Sequence, residues 1–284
     1  MNFNAWSAPL RIPQNKPARE IAQALLALPI PRRFDITRLR PDHLPRGQRF
    51  ETEADARARR DTELERFEGI AELADVADRL LFCSAEAPCA EMYCAPCGRL
   101  FRRWLIGQLL RLQVGLDLNV MTIALELVPT NKLMDCDVLV VKRRTAQRIR
   151  RAAPSARFVV GGIEADYRQG DDTFLIHAHL LVSQLPRDEQ NALRSAFADI
   201  GVTRAVKVQA LRDPAAQISY VLKFQTFHRP APQSGPRRPR AVQLPDAALK
   251  QLTLWRARHG FMDFVLMMGL RRRGGDLVRI EQKA

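Results

Sequence analysis

The chain has 284 residues, 46% of them apolar, so it is long enough to bury a sizeable core, and its composition excludes an intrinsically disordered chain. It contains no run of about 18 uninterrupted apolar residues, and its N-terminus lacks a basic-then-apolar signal pattern, so we expect a cytoplasmic protein. The 45 Lys and Arg exceed the 31 Asp and Glu, and a formal net charge of +14 favours a polyanionic partner, namely nucleic acid.

The N-terminal region divides into a proline-rich part and a helical part. Seven prolines fall within residues 1–50, which predicts an extended arm broken by short helices. From residue 58 to residue 81 apolar side chains recur on one face of a helix. We therefore expect residues 1–80 to form an arm followed by a helix.

A cysteine cluster follows. It consists of Cys83, Cys89, Cys94 and Cys97. The last two form a Cys-x-x-Cys knuckle, which is a common half of a tetrahedral structural zinc site, and zinc is favoured over free thiols. A redox role is less favoured because no thioredoxin-like βαβ pattern precedes the knuckle. Residues 81–113 are therefore predicted to be a four-cysteine zinc knuckle followed by a basic helix.

Arginines on that helix, predicted over residues 99–113, lie close to the cysteines in sequence. They are Arg99, Arg102 and Arg103. Arginine makes forked contacts to phosphate oxygens, so we expect these three residues to contact a DNA backbone.

The hydrophobic period changes repeatedly between residues 114 and 228. Strands are predicted over residues 116–127, 157–167, 173–182 and 202–211, with helices over 134–152, from Pro186 and from Pro214. The order β-α-β-β-α-β-α is typical of an α+β domain with a mainly antiparallel sheet.

The C-terminal region, residues 229–284, carries 12 Lys and Arg against 4 Asp and Glu, a net charge of +8. Residues 229–245 are rich in Pro and Arg and are predicted to be a linker. A helix is predicted over residues 247–268, ahead of Arg271, Arg272 and Arg273. We expect these three arginines to bind DNA, although a solubility tail or an oligomerisation helix would have a similar sequence.

Two histidines on one predicted strand are candidates for metal binding. His177 and His179 are separated by one residue, so their side chains project from the same face of the strand. If the preceding hairpin turns about Gly170 and Asp171, Glu164 lies directly across from His177. Two imidazoles and a carboxylate suit Mn²⁺ or Mg²⁺ acting as a Lewis acid. Asp166 is the second choice for the carboxylate, and a merely solvated strand face is the competing interpretation.

A Tyr-x-x-Lys motif follows on the helix predicted from Pro214. Tyr220 and Lys223 are three residues apart and share a helix face. A nearby ammonium group and a metal-polarised phosphate would both help a tyrosine hydroxyl to act as a nucleophile. Taken alone, the spacing is also compatible with an ordinary helix surface.

In this order, His177-Ala-His179 and Tyr220-Val-Leu-Lys223 resemble the second and third motifs of the HUH-endonuclease superfamily, specifically its rolling-circle replication initiators. Residues 118–123, which include Thr122, are similar to the first motif, and the resemblance covers residues 116–228. The pair lacks the additional histidine and proline that flank it in plasmid initiators. The resemblance implies a central antiparallel sheet flanked by helices, ferredoxin-like or RRM-like.

The resemblance also implies roles. His177, His179 and Glu164 would bind the catalytic metal, and Tyr220 would attack a DNA phosphate to give a 5′-phosphotyrosine and a free 3′-hydroxyl. Lys223 would position the phosphate. DNA, single-stranded or as an origin hairpin, would be the partner, with a host helicase as a further one. The alternatives are a single-strand transposase or relaxase, and a zinc-containing DNA-binding regulator without nuclease activity.

Overall fold

The computed structural model describes residues 52–84, 88–113, 116–212, 214, 217–218, 227–228, 242–273 and 276–280. The arm predicted over residues 1–50 and most of the predicted linker lie outside the described residues. Tyr220 and Lys223 lie outside them as well.

Three helices precede the sheet: α1 (Glu53–Phe67), α2 (Ala74–Leu81) and α3 (Ala95–Leu112). Helix α1 begins with a capping box, in which Thr52 and Asp55 exchange side-chain-to-backbone hydrogen bonds. The prediction of a single helix over residues 58–81 is wrong, because the helix is interrupted between α1 and α2. Gly69 is a poor helix former, and Ile70 has extended backbone angles before a short 3₁₀ turn.

The described chain then forms nine strands and three more helices. The strands are β1 (Leu118–Pro129), β2 (Val159–Arg168), β3 (Thr173–Ser183), β4 (Val206–Ala210), β5 (Phe227–His228), β6 (Val242–Gln243), β7 (Val265–Met268), β8 (Leu270–Arg273) and β9 (Asp276–Arg279). The helices are α4 (Val138–Ala152), α5 (Arg187–Ala196) and α6 (Asp246–Ala257). Helix α4 begins later than predicted, at Val138, and the carboxylate of its N-cap residue Asp137 accepts hydrogen bonds from the N–H groups of Leu139 and Val140.

Five strands form one antiparallel sheet in the order β4-β1-β3-β2-β7. Strand β3 lies between β1 and β2, and β1 lies between β3 and β4, so α4 and α5 each connect two parallel, non-adjacent strands. This β-α-β-β-α-β arrangement is that of ferredoxin-like folds. The predicted α+β class with an antiparallel sheet flanked by helices is confirmed.

The two faces of the sheet differ in chemistry. On β3, Ile176, Ala178 and Leu180 point to one side and are fully buried. Helix α4 presents an apolar stripe to this side, and α5 packs against α4. The other side carries His177 and His179. We call it the histidine face.

The C-terminal helix is shorter than predicted. Helix α6 ends at Ala257, a 3₁₀ turn follows at Phe261–Phe264, and β7 joins the edge of the sheet beside β2. The prediction of a helix over residues 247–268 is therefore wrong in its second half, because Gly260 interrupts the helical pattern and the apolar run of β7 extends the sheet. Gly269 has φ +70°, and a Cβ there would lie 1.8 Å from the carbonyl oxygen of Arg157.

One hydrophobic core joins the six helices and the five-stranded sheet. Helix α1 is fixed to the start of α6, since Arg66 hydrogen-bonds the carbonyl of Leu244 and the carboxylate of Asp246, each at 2.6 Å. Helix α3 packs on the C-terminal region through stacked Phe101 and Phe261 rings, 4.7 Å apart. Among the described helices, none is long and apolar enough to cross a bilayer.

Candidate metal centres

Two strands bring the predicted carboxylate and histidines together. Strand β2 pairs with β3 so that Glu164 lies directly opposite His177, and Gly162 lies opposite His179. The predicted register is confirmed. All three side chains are buried, at 4% exposed for Glu164, 4% for His177 and 7% for His179. One ligand atom from each lies within 4.8 Å of the others.

Hydrogen bonds at the Nδ1 atoms orient both imidazole rings. The Nδ1 atom of His177 lies 3.3 Å from the carbonyl oxygen of Leu175, and that of His179 lies 2.9 Å from the hydroxyl of Thr122. A carbonyl oxygen only accepts, so this hydrogen bond requires a proton on Nδ1 of His177, and Nε2 is the atom available to a metal. The Nε2 atoms of the two rings therefore point into the same space, 3.1 Å apart.

This spacing fits a shared cation. At a metal–nitrogen distance of about 2.1 Å, two ligands at a right angle lie about 3.0 Å apart, whereas tetrahedral ligands lie about 3.4 Å apart. The observed 3.1 Å between the Nε2 atoms lies between these two values. The three side chains could therefore hold one metal ion.

Two carboxylates compete for the third ligand position. The nearest oxygens of Glu164 and Asp166 lie 3.9 Å and 3.7 Å from His177 Nε2. Glu164 is also within reach of His179, and it is buried, while the Asp166 side chain is 57% exposed. Glu164 therefore completes the three-residue cluster, and Asp166 lies at its open side.

A buried arginine lies beside this cluster, and the sequence analysis missed it. Arg256, on α6, is 3% exposed, and Glu63, on α1, is 6% exposed. Burial lowers the pKa of Arg256 to about 10, and the carboxylates of Glu63, Glu164 and Asp166 oppose that shift. The signal was present in the sequence, because Arg256 follows Leu249 and Leu252 at the spacing of a buried helix stripe.

A lysine also lies on the same face of the sheet as the histidine cluster. Lys207, on β4, is the partner of Thr122 on β1, and Thr122 is the partner of His179 on β3. Directly opposed residues in a sheet project to the same face, so Lys207 belongs to the histidine face. Its side chain is exposed. Lys223, which the sequence analysis assigned to this site, lies outside the described residues.

The four predicted cysteines form a second cluster at the start of α3. All four are buried and none is in a disulfide. Their sulfur atoms lie 3.5 Å apart for Cys83–Cys94, 3.6 Å for Cys83–Cys97 and 3.7 Å for Cys89–Cys97. A tetrahedral Zn–S distance of about 2.3 Å places sulfur atoms about 3.8 Å apart, so the spacing fits a metal site with four thiolate ligands.

Backbone amides donate to two of the sulfur atoms in this cluster, whereas the neighbouring thiols favour the neutral form of Cys94. The N–H of Cys89 donates to Cys83 Sγ at 3.4 Å, and the N–H of Ala90 donates to Cys97 Sγ at 3.2 Å. Hydrogen bonds to the other thiols, followed by burial, raise the pKa of Cys94 well above its ordinary value. A bound cation would allow all four to be thiolates together.

The predicted DNA-binding arginines lie in different environments. Arg99 is 6% exposed and lies on the inner side of α3. The sequence analysis placed it at the surface only because it is close to the cysteines in sequence, and its burial corrects that placement. Arg102 is half-buried. Arg271 and Arg273 are exposed on the β8–β9 hairpin. The side chains of Arg103 and Arg272 lie outside the described part of the structure.

Comparisons with known proteins return nothing for this chain. No protein-family model matches it, and neither a curated protein nor a solved structure matches it. The function must therefore be argued from the two clusters and their surroundings.

Proposed function

We propose that the protein is a metal-dependent HUH-type tyrosine endonuclease that nicks and rejoins single-stranded DNA, as rolling-circle replication initiators do. The observation that carries the proposal is the convergence of His177 Nε2, His179 Nε2 and a carboxylate oxygen of Glu164 on one space. These ligands would hold Mn²⁺ or Mg²⁺, and the four cysteines would hold a structural Zn²⁺.

The topology supports placing the nucleophile near this cluster. The chain leaves the sheet after β4, at one edge, and its next described strand, β5, lies against β2, which carries Glu164. Tyr220 falls between these two strands in sequence. Ile218, two residues before it, is fully buried.

The cation would withdraw charge from a phosphate oxygen, which makes the phosphorus more electrophilic. Tyr220 would attack the phosphorus with its phenolic oxygen and form a new P–O bond. The phosphate then joins Tyr220 to the 5′ end of the downstream fragment, and the bond to the 3′ oxygen of the upstream fragment breaks. The phenolic proton leaves to solvent, and the leaving oxygen gains one to become a 3′-hydroxyl. Lys207 and Lys223 would stabilise the phosphate charge, and the 3′-hydroxyl reverses the step during rejoining.

The test is covalent capture of DNA. A pool of randomised single-stranded oligonucleotides, labelled at the 3′ end, is incubated with the protein and Mn²⁺ and analysed on a denaturing gel. We expect the 3′ label to migrate with the protein, whereas a 5′ label is released with the free 3′-hydroxyl fragment. Tyr220→Phe should abolish the adduct but retain DNA binding, because only a hydroxyl is lost. His177→Ala and His179→Ala should abolish cleavage.

Other outcomes would replace the proposal. An adduct that persists in Tyr220→Phe would place the nucleophile elsewhere. Tyr167, the nearest tyrosine in sequence, pairs with Phe174 and projects from the side of the sheet opposite the histidine face. If the wild-type protein forms no adduct but binds DNA, a zinc-containing DNA-binding regulator is the better description. A transposase or relaxase would form the same adduct, and the DNA that flanks the gene would distinguish these from an initiator.

A further inference from the structure

Helix α4 has an unusual charge distribution. It contains six basic residues and no acidic residue: Lys142, Arg143, Arg144, Arg148, Arg150 and Arg151. Its buried stripe, Val138, Val141, Thr145 and Ile149, faces the apolar side of the sheet. The remaining surface of the helix therefore points away from the histidine face.

Four of these arginines are exposed: Arg143, Arg144, Arg150 and Arg151. Within the described part of the chain, none of the four forms an ion pair with a carboxylate. These guanidinium groups can therefore contact a ligand without first losing an ion pair with a carboxylate.

Three arginines along one edge of α4 line a depression of about 320 Å³. They are Arg144, Arg148 and Arg151, at the i, i+4, i+7 spacing of one helix edge. Arg148 is held in place by Asp199, at 3.0 and 3.2 Å, and by the Phe197 ring, 5.4 Å from its guanidinium carbon. Glu126 also lines the depression, so the lining is not uniformly basic.

We infer that the surface formed by Arg144, Arg148 and Arg151, which we call the α4 basic face, binds the phosphate backbone of double-stranded nucleic acid. Arg144 and Arg151 are about 10 Å apart along the helix axis, and a duplex presents one phosphate charge per about 1.7 Å of its axis. Single-strand sites combine basic residues with aromatic side chains on which bases stack. The exposed side of α4 has no aromatic residue among its described positions, which favours a duplex backbone.

This inference is independent of the proposed nuclease function, because α4 lies across the sheet from the histidine cluster. It gives the protein two nucleic-acid surfaces: a single strand would approach the histidine face, and a flanking duplex would approach the α4 basic face. Binding at α4 also requires no cleavage.

The test compares two double variants with the same change in charge. Arg144→Gln with Arg151→Gln alters the α4 basic face, and Arg187→Gln with Arg194→Gln removes two exposed arginines from α5. Affinity for a 20-base-pair DNA duplex, an RNA duplex of the same length and an unstructured dT oligonucleotide is measured by fluorescence anisotropy between 50 and 200 mM salt. Thermal unfolding of both variants verifies that the fold is retained.

We expect the α4 variant to bind duplex more weakly and to lose about two units from the slope of log affinity against log salt, because about one unit is lost per phosphate contact. The α5 variant should change the slope by far less, and Glu126→Gln should strengthen duplex binding. Stronger loss on DNA than on RNA assigns the surface to DNA, and the reverse assigns it to RNA. Equal losses in the α4 and α5 variants, or a loss confined to the dT strand, would overturn the inference.

Discussion

The two clusters of metal-ligating side chains are assembled in different ways. The cysteine cluster comes from residues 83–97, so its ligands are close in sequence and lie at the start of one helix. The histidine cluster comes from two strands, and it exists only because the register of β2 and β3 places Glu164 opposite His177. The first is a local structure, and the second is a product of the folded sheet.

The two clusters also differ in the coordination chemistry that their side chains offer. Four buried thiols form a closed set that leaves no position for a substrate, as structural zinc sites do. Two imidazoles and one carboxylate leave coordination positions open, and the exposed Asp166 lies at that side. We therefore expect the cysteine cluster to determine stability and the histidine cluster to determine activity.

The largest expected effect is the loss of the cysteine cluster. Cys94→Ala should remove the bound zinc and unfold at least the region of α1 to α3, because binding of structural zinc contributes about 10–16 kcal/mol in small zinc domains. Elemental analysis should find one zinc per chain in the wild type and none in the variant, together with a lower Tm. Wild-type protein that contains no zinc, with all five thiols open to titration, would contradict the assignment.

The matched experiment is His177→Ala, because it removes a buried ligand of the other cluster. It should abolish binding of Mn²⁺, measured by isothermal titration calorimetry, with a far smaller change in Tm than Cys94→Ala. Equal destabilisation by the two variants would break the division into a structural and an active cluster.

The second effect concerns the buried charges beside the histidine cluster. Arg256→Met should lower the free energy of unfolding by about 3–5 kcal/mol, since it removes a buried positive charge that acts on the buried carboxylates of Glu63 and Glu164. Urea unfolding measures this loss, and Arg258→Met, on an exposed residue two positions later, is the control. Adding Glu63→Gln to Arg256→Met should recover part of the loss. Strict additivity of the two changes would show that these residues are not coupled.

The sequence predicted the parts of this fold that depend on local patterns. The period of two along β1, β2 and β3 and the short loop between β2 and β3 were sufficient to predict the register that joins Glu164 to His177. The cysteine spacing was sufficient to predict the four-cysteine cluster. Both depend on residues that are near one another in the chain or linked by one hairpin.

The features that the sequence did not predict depend on distant contacts. Strand β7 has a short apolar run that continues the helical pattern of α6, and only its pairing with β2 makes it a strand. Arg256 lies 92 positions from Glu164, and no local pattern links the two. Arg99 is charged like its neighbours, and only the packing of α3 decides that it is buried.

The third prediction tests the close approach of β2 and β3. A Cβ at Gly161 would lie 1.9 Å from the carbonyl oxygen of His179, so Gly161→Ala must displace one strand. We expect a loss of about 1–3 kcal/mol in stability, together with weaker Mn²⁺ binding. Gly170→Ala, in the loop, is the control, since no atom lies within 4 Å of its Cβ position. Unchanged Mn²⁺ affinity in Gly161→Ala would show that the cluster tolerates movement of the strand.

The smallest expected effect concerns the hydroxyl of Thr122, which contacts His179 Nδ1 at 2.9 Å. Thr122→Val keeps the shape of the side chain but removes this contact, so the imidazole loses its fixed orientation. Residues that orient a metal-bound histidine in this way typically change metal affinity by about 10–100-fold. We expect that decrease in Mn²⁺ affinity by calorimetry, with zinc content and Tm nearly unchanged, because Thr122 contacts a residue of the histidine cluster and is not part of the cysteine cluster. Thr62→Val, on the exposed surface of α1, should leave both metals unaffected.

An unchanged Mn²⁺ affinity in Thr122→Val would mean that packing alone orients His179. A loss of zinc in the same variant would show that the two clusters are coupled through the core.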